Sequence, residues 1–367
     1  MKKLLAIILS ASMLFAFASC SGGETAEIEY VSTYSKDLAG TTLNVFNWGE
    51  YISDGSEGTL DVNKAFEDLT GINVEYTTFD SNEAMYGKIK KEGGVTFDII
   101  IPSDYMIQRM ISEDMLLEFD TSEIENYKYI DEKYKNLYFD EQNKYSVPYN
   151  VGMVGLIYNK TMVDSEPTSW SVMWDEKYKN NILNFNNPRD AFAIAQFLLG
   201  IDINTDNQAE WQAAATKLKE QKPLLQSYVM DEIYDKMEGG QAAIAPYYAG
   251  DCMQMIDSNP DLAFVYPKEG TNIFVDSICI PKTAQNVEAA KMYINFLLEP
   301  EIALANAERL CYASPNTAVV NNDEYSYKGN EILYPAPENT PKTEYFHDLD
   351  PTVRSYYESL WTEIKNS

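Results

Sequence analysis

Leu43-Asn44-Val45-Phe46 is a short run of strand formers, and it opens a stretch ending at Pro102 that decides the fold. Val62, Ala65, Phe66 and Leu69 recur at helical spacing, and Gly71 follows as a C-cap residue. Ile72-Asn73-Val74-Glu75-Tyr76 then alternates apolar and polar residues, as a half-buried strand does. Asp80 with Glu83 three residues on has the form of a capping box and predicts a helix through Ile89. Phe97-Asp98-Ile99-Ile100-Ile101, stopped by Pro102, reads as a buried parallel strand. Strand, helix, strand, helix, strand is the signature of an α/β sheet with helices on both faces.

Downstream of that stretch the pattern is mixed. Tyr145 to Tyr149 and Met153 to Tyr158 read as two strands around Gly152, placed where a crossover between two domains is expected. Helical or mixed segments follow over Ser171–Tyr178, Asp190–Leu199 and Asn207–Lys219. Gln241–Pro246 and Phe274–Ile280 are strand candidates, and Val287–Leu298 is an amphipathic helix. A chain of 367 residues suits two domains at roughly 150 residues each.

The first residues have a different character. Lys2 and Lys3 precede an apolar run from Leu4 to Phe17, too short for a membrane span of about 20 residues. Ala18-Ser19-Cys20 then resembles a bacterial lipoprotein signal, although Phe17 stands where Leu is usual. That reading makes residues 1–19 a signal peptide and Cys20 a lipidated N-terminus, anchored at the cell membrane on its outer or periplasmic side. An ordinary signal peptide with an incidental Cys is the alternative. Ser21 to Gly40 is polar and acidic and is expected to be a flexible tether, with folded sequence beginning at Thr41.

Composition narrows the function. Net charge is -29, with 57 acidic against 28 basic residues, so the surface repels nucleic acid and tolerates cations. The only histidine is His347, which leaves a His-based catalytic or metal site without partners. The four cysteines (Cys20, Cys252, Cys279 and Cys311) match no zinc spacing, and no disulfide framework is expected. No phosphate-binding glycine loop is present. No cofactor, no metal and no catalysis are expected.

Tyrosine number 27, phenylalanine 15 and tryptophan 5, and several of these rings stand at the ends of predicted strands. Trp48 and Tyr51 follow Phe46, Tyr105 follows Ile101, Tyr247 and Tyr248 follow Pro246, and Phe274 begins a strand. In open α/β sheets the ligand crevice lies outside the carboxyl ends of strands. Glu50, Asp190 and Asp276 fall in the same places. Rings beside carboxylates suit an alkylammonium ligand, since the rings attract the cation and its methylene stem while the acids pair its charge.

Several segments resemble the bacterial spermidine/putrescine-binding proteins of ABC transporters. They are Phe46-Asn47-Trp48-Gly49-Glu50-Tyr51, Phe79 to Tyr86, Phe97 to Tyr105, Val265 to Gly270 with Val275-Asp276-Ser277, Asn295 to Leu298, and Ser314-Pro315-Asn316. The resemblance implies a two-lobed periplasmic-binding-protein type II fold, each lobe a mixed sheet flanked by helices, with a hinge between them. Lobe 1 is expected over 41–148 plus about 268–320, and lobe 2 over 149–267 plus about 321–367. It implies that Trp48 and Tyr51 line the cleft, that Glu50, Ser103 and Tyr105 add polar contacts, and that Asp190 and Asp276 bind ammonium groups. Tyr247 and Phe274 stand where the family has Trp. Three positions depart: Gly49 replaces a hydroxyl residue, Asn187 stands where spermidine binders carry Asp, and Phe346 stands near a Gln that reaches the ligand. The implied partners are a polyamine (putrescine, spermidine or both) and an ABC permease, and the implied state is a monomer. A ferric-ion binder using Tyr247-Tyr248, a sugar binder, and an extracellular hydrolase using Asp190 with Asp276 are the alternatives.

Overall fold

The structure is a computed structural model that describes residues 28–91 and 96–367. Ten strands form one continuous sheet: β1 (Thr42–Trp48), β2 (Asn73–Phe79), β3 (Ile99–Ile100), β4 (Ser146–Asn159), β5 (Ile182–Phe185), β6 (Leu225–Val229), β7 (Ile244–Tyr248), β8 (Leu262–Val265), β9 (Thr271–Cys279) and β10 (Thr343–Glu344). The spatial order is β2-β1-β3-β9-β4-β7-β5-β6, with β8 beside β4 and β10 beside β9. β1 is parallel to β2 and β3, and β5 is parallel to β6 and β7. Between these two parallel sets run β9 and β4, antiparallel to each other and to β3 and β7 respectively, with the short β10 parallel to β9. Helices flank both sets, as the βαβαβ pattern of the first hundred residues requires.

β4 joins the two halves. Its first eight residues pair with β9, and from Val154 onward it pairs with β7 and β8. All fourteen of its residues are buried. The two strands expected around Gly152 are therefore one, because Gly152 keeps its place in the β9 ladder opposite Phe274. β3 is shorter than the apolar run suggests. Asp98 lies just outside β3, still donating its N–H to Asn44 O at 2.8 Å, while its carboxylate accepts backbone N–H bonds from Asn44, Gln285 and Asn286 at 2.8–3.0 Å.

Asp61 caps the helix Val62–Thr70, and Gly71 ends it at φ 76°, a conformation glycine adopts without cost. The helix Asn82–Lys90 is capped by Ser81, whose hydroxyl accepts from Ala84 N, and not by Asp80. Ser171–Tyr178 forms two 3-10 turns, Trp170–Trp174 and Glu176–Tyr178, rather than a helix. β7 extends through Tyr248, and Phe274 lies inside β9 rather than at its start. Cys252, Cys279 and Cys311 are free and buried.

Packing begins before Thr41. Tyr30 and Tyr34 lie on Phe296 with ring centroids 5.8 and 5.9 Å away. Buried Glu299 explains the docking. Its carboxylate accepts from Val31 N, Ser32 N, Tyr34 OH and Asn126 Nδ2 at 2.8–3.0 Å, so the segment supplies donors that a buried charge needs. Residues 1–27, on which the expected signal peptide and lipidated Cys20 fall, lie outside the described residues. Among the described residues no helix is long and apolar enough to cross a membrane.

A separate apolar cluster closes the far end of the second half. The C-terminal helix Pro351–Asn366 sets Tyr357 flat on Trp211, 4.9 Å between centroids, with Phe192, Leu360 and Ile364 around them.

Candidate functional site

The carboxyl ends of the parallel strands from both halves converge on one cleft of about 810 Å³, counting its open mouth. β2 delivers Phe79 and Asp80, β1 delivers Trp48 to Tyr51, and the loop after β3 delivers Ser103 and Tyr105. From the other half, β5 delivers Asn187 to Asp190, β6 delivers Asp231, and β7 delivers Tyr247, Tyr248 and Asp251. β9 crosses between them and presents Asn272, Phe274 and Asp276, which share a face because side chains alternate along a strand. All ten expected ligand-binding residues (Trp48, Glu50, Tyr51, Ser103, Tyr105, Asn187, Asp190, Tyr247, Phe274 and Asp276) line this cleft.

Asp276 is its electrostatic centre. It is 4% exposed. Tyr51 OH donates to Oδ2 at 2.6 Å, while Oδ1 is buried without a partner. Burial pushes its carboxyl up to about 6, against the opposing hydrogen bond from Tyr51. Asn82 holds Ser103 from both sides, with Oδ1 accepting Ser103 N and Nδ2 donating to Ser103 Oγ, each at 3.1 Å.

Asp190 lies in the first turn of the helix Pro188–Leu199, where the helix dipole favours a negative charge. Asn187 caps that helix with Oδ1 and donates Nδ2 to Asp190 Oδ2 at 2.7 Å. Tyr248 OH donates to the same oxygen at 2.8 Å. Burial still pushes Asp190 up to about 7. Beside it, Arg189 is buried. It donates to Asn204 Oδ1 at 3.1 Å and sits 4.5 Å above the Phe346 ring. Among the described residues lining the cleft, Arg189 is the single basic one. Tyr105 OH donates to Glu83 Oε1 at 3.0 Å, which ties this corner to the helix Asn82–Lys90.

The walls are aromatic. Trp48 stands 4.5 Å from Phe79, Tyr51 meets Tyr312 edge-on at 5.2 Å, and Phe274 meets Tyr248 edge-on at 5.5 Å. Tyr247 is 2% exposed and stacks on Phe185 at 5.4 Å, so the hydroxyl that reaches an acid is that of Tyr248. Glu50 is the least engaged of the expected contacts. It sits exposed at the mouth with φ 49°, and Arg309 Nη2 takes its carboxylate at 3.0 Å.

Sequence reasoning missed Asp251, Tyr312, Tyr234, Asn82 and the wall role of Arg189. Asp251 accepts from Tyr234 OH and Tyr312 OH, each at 2.9 Å, and desolvation pushes it up to about 7. Its signal was present: it stands in the first turn of the helix Ala249–Ser258 right after β7, as Asp190 stands after β5.

A slot with buried acids between rings, one of them with an unpartnered oxygen, can hold a linear cation by pairing its charge and covering its methylenes. Ferric ligation through Tyr247-Tyr248 is poorly served. Tyr247 is almost fully buried and stacked on Phe185, and Tyr248 OH is already donated to Asp190, so the two hydroxyls do not converge on one open site. Among the described residues no group of three or more His, Cys, Asp or Glu is placed to hold a metal ion.

Residues 95–331 match the family model described as bacterial extracellular solute-binding protein. The chain is 32% identical over 325 residues to the spermidine/putrescine-binding periplasmic protein of Salmonella typhimurium, covering 88% of this chain and 91% of that one. A solved ABC-transporter structure from Listeria monocytogenes is 40% identical with a TM-score of 0.83, over 89% of this chain and 99% of that one. The spermidine/putrescine ABC transporter substrate-binding protein PotD from Streptococcus pneumoniae is 37% identical with a TM-score of 0.74, over the same shares. A cleft built at the strand ends of two joined α/β halves and a family match across most of the chain agree: the chain belongs to the bacterial extracellular solute-binding proteins.

Proposed function

We propose that this chain is an extracytoplasmic receptor that captures a polyamine, putrescine or spermidine, and delivers it to an ABC permease. The observation that carries the reading is Asp276 Oδ1, a buried carboxylate oxygen with no partner in the protein, in a cleft walled by rings. A buried acid left unpaired is costly, and a protonated amine is the ligand that removes the cost. Asp190 and Asp251 stand ready for further ammonium groups. The names of relatives at 32–40% identity support the same ligand class.

In this reading the lobes are residues 41–148 with about 268–320, and 149–267 with about 321–367. They close over the ligand by bending along β4, which pairs with β9 on one side of the join and with β7 and β8 on the other. Cys20 carries the lipid that keeps the receptor near the membrane, and the receptor acts as a monomer. The test is calorimetric titration with putrescine and spermidine. Micromolar or tighter binding of either is expected, and no heat from both on folded, ligand-free protein refutes the reading.

A further inference from the structure

Two glycines lie directly beneath two rings of the cleft wall. Gly152 is in the middle of β4 and pairs with Phe274 across the ladder. Gly250 is in the first turn of the helix Ala249–Ser258, under the ring of Tyr312. Neither has positive φ, so the backbone does not require glycine at either place. Glycine inside a strand or helix is otherwise unfavourable. The rings supply the reason. A Cβ on Gly152 would fall 2.7 Å from Phe274 Cε2, and one on Gly250 would fall 2.6 Å from Tyr312 Cγ, distances no real methyl tolerates.

We propose that Gly152 and Gly250 are positioning residues of the binding site, which let Phe274 and Tyr312 lie back and so set the width of a slot for an unbranched alkylammonium chain. The inference rests on the polyamine reading. The two rings are linked to the charge-pairing groups. Phe274 is two residues from Asp276 on the same strand face, and Tyr312 OH donates to Asp251. A methyl beneath either ring pushes it into the slot and moves the wall relative to the acids. Neither glycine touches the ligand.

The experiment is titration of Gly152→Ala with putrescine and spermidine. The expected result is at least tenfold weaker binding. In a Phe274→Leu background, where the ring is gone, adding Gly152→Ala is expected to cost less than threefold. Gly250→Ala also weakens binding at least tenfold, although alanine is the better helix former, so its fold is not at risk from helix propensity. Gly155→Ala is the control: it meets Phe264 in the same way on the same strand, outside the cleft, and should leave affinity within threefold. Unchanged affinity in both Gly152→Ala and Gly250→Ala overturns the inference. So does an equal loss with and without the Phe274 ring, or a Gly155→Ala loss as large as that of Gly152→Ala. Wild-type protein that binds neither amine overturns the polyamine reading, and the inference falls with it.

Discussion

Replacing Asp276 by asparagine separates two effects of opposite sign. Without ligand, the wild-type carboxyl sits near 6 instead of 3.8, because burial disfavours its charge. Its folded value is raised, so its stabilising contribution is complete below about pH 4 and is lost as pH rises through about 6. At pH 8 the ionised group therefore burdens the fold by about 3 kcal/mol, at roughly 1.4 kcal/mol per pKa unit. Asparagine keeps the shape and can still accept from Tyr51 OH, but carries no charge. Ligand-free Asp276→Asn should be more stable than wild type at pH 8, and the gain should fall to about half by pH 5 and vanish only below about pH 4. With ligand the sign reverses. A hydrogen bond to a charged group contributes about 1.5–3 kcal/mol, so putrescine affinity should fall at least tenfold, and up to about 150-fold. Thermal melts at the two pH values and calorimetry at pH 8 read both effects. A folded variant whose dissociation constant stays within twofold of wild type would show that Asp276 is not the ammonium partner.

Other tests reach different parts of the molecule. Asp190 and Asp251 sit near 7 and Asp276 near 6, so ligand-free protein should lose thermal stability from pH 5 to 8, while diamine affinity should rise at least tenfold over that range with proton release on binding below pH 7. An affinity that is flat with pH would sink that account. Glu50→Gln should change affinity less than threefold, since the exposed carboxylate is already paired with Arg309 and such pairs contribute about 0–1 kcal/mol; a tenfold loss would put Glu50 in the ligand's contacts after all. Glu299→Ala strands the donors of residues 31–34 and should cost about 2 kcal/mol or more, with limited proteolysis cutting near residue 35 before the body unfolds. Unaltered protease resistance would mean that Glu299 does not hold the segment.

The first hundred residues declared their architecture because strands and helices there follow local periods of 2 and 3.6 and are closed by Gly71 and Pro102. The join between the halves was harder to read. β4 is buried along its whole length, so it shows no alternation, and Gly152 looked like a break when it is a position under a ring. Tyr30 and Tyr34 were read as tether because polar composition says nothing about a buried glutamate almost 270 residues away that needs their neighbours' N–H groups. At the site, Asp276 and Trp48 were legible from motif resemblance. Asp251 was hidden because its two partners, Tyr234 and Tyr312, lie 17 and 61 residues from it in the chain. The ion pair of Glu50 is hidden for the same reason: Arg309 is 259 residues downstream.

The order of strands across the sheet has a consequence for how the chain acquires its shape. β3 borders β9, so the sheet of the first half stays open until a strand made some 170 residues later arrives. β9 in turn needs β4, whose far end is already committed to β7 and β8. The first half cannot close early during synthesis, and long-range pairings of this kind form slowly. A chain wired in this way keeps its first half open and threadable until β9 has been made, which favours crossing a membrane as an unfolded strand and assembling on the other side.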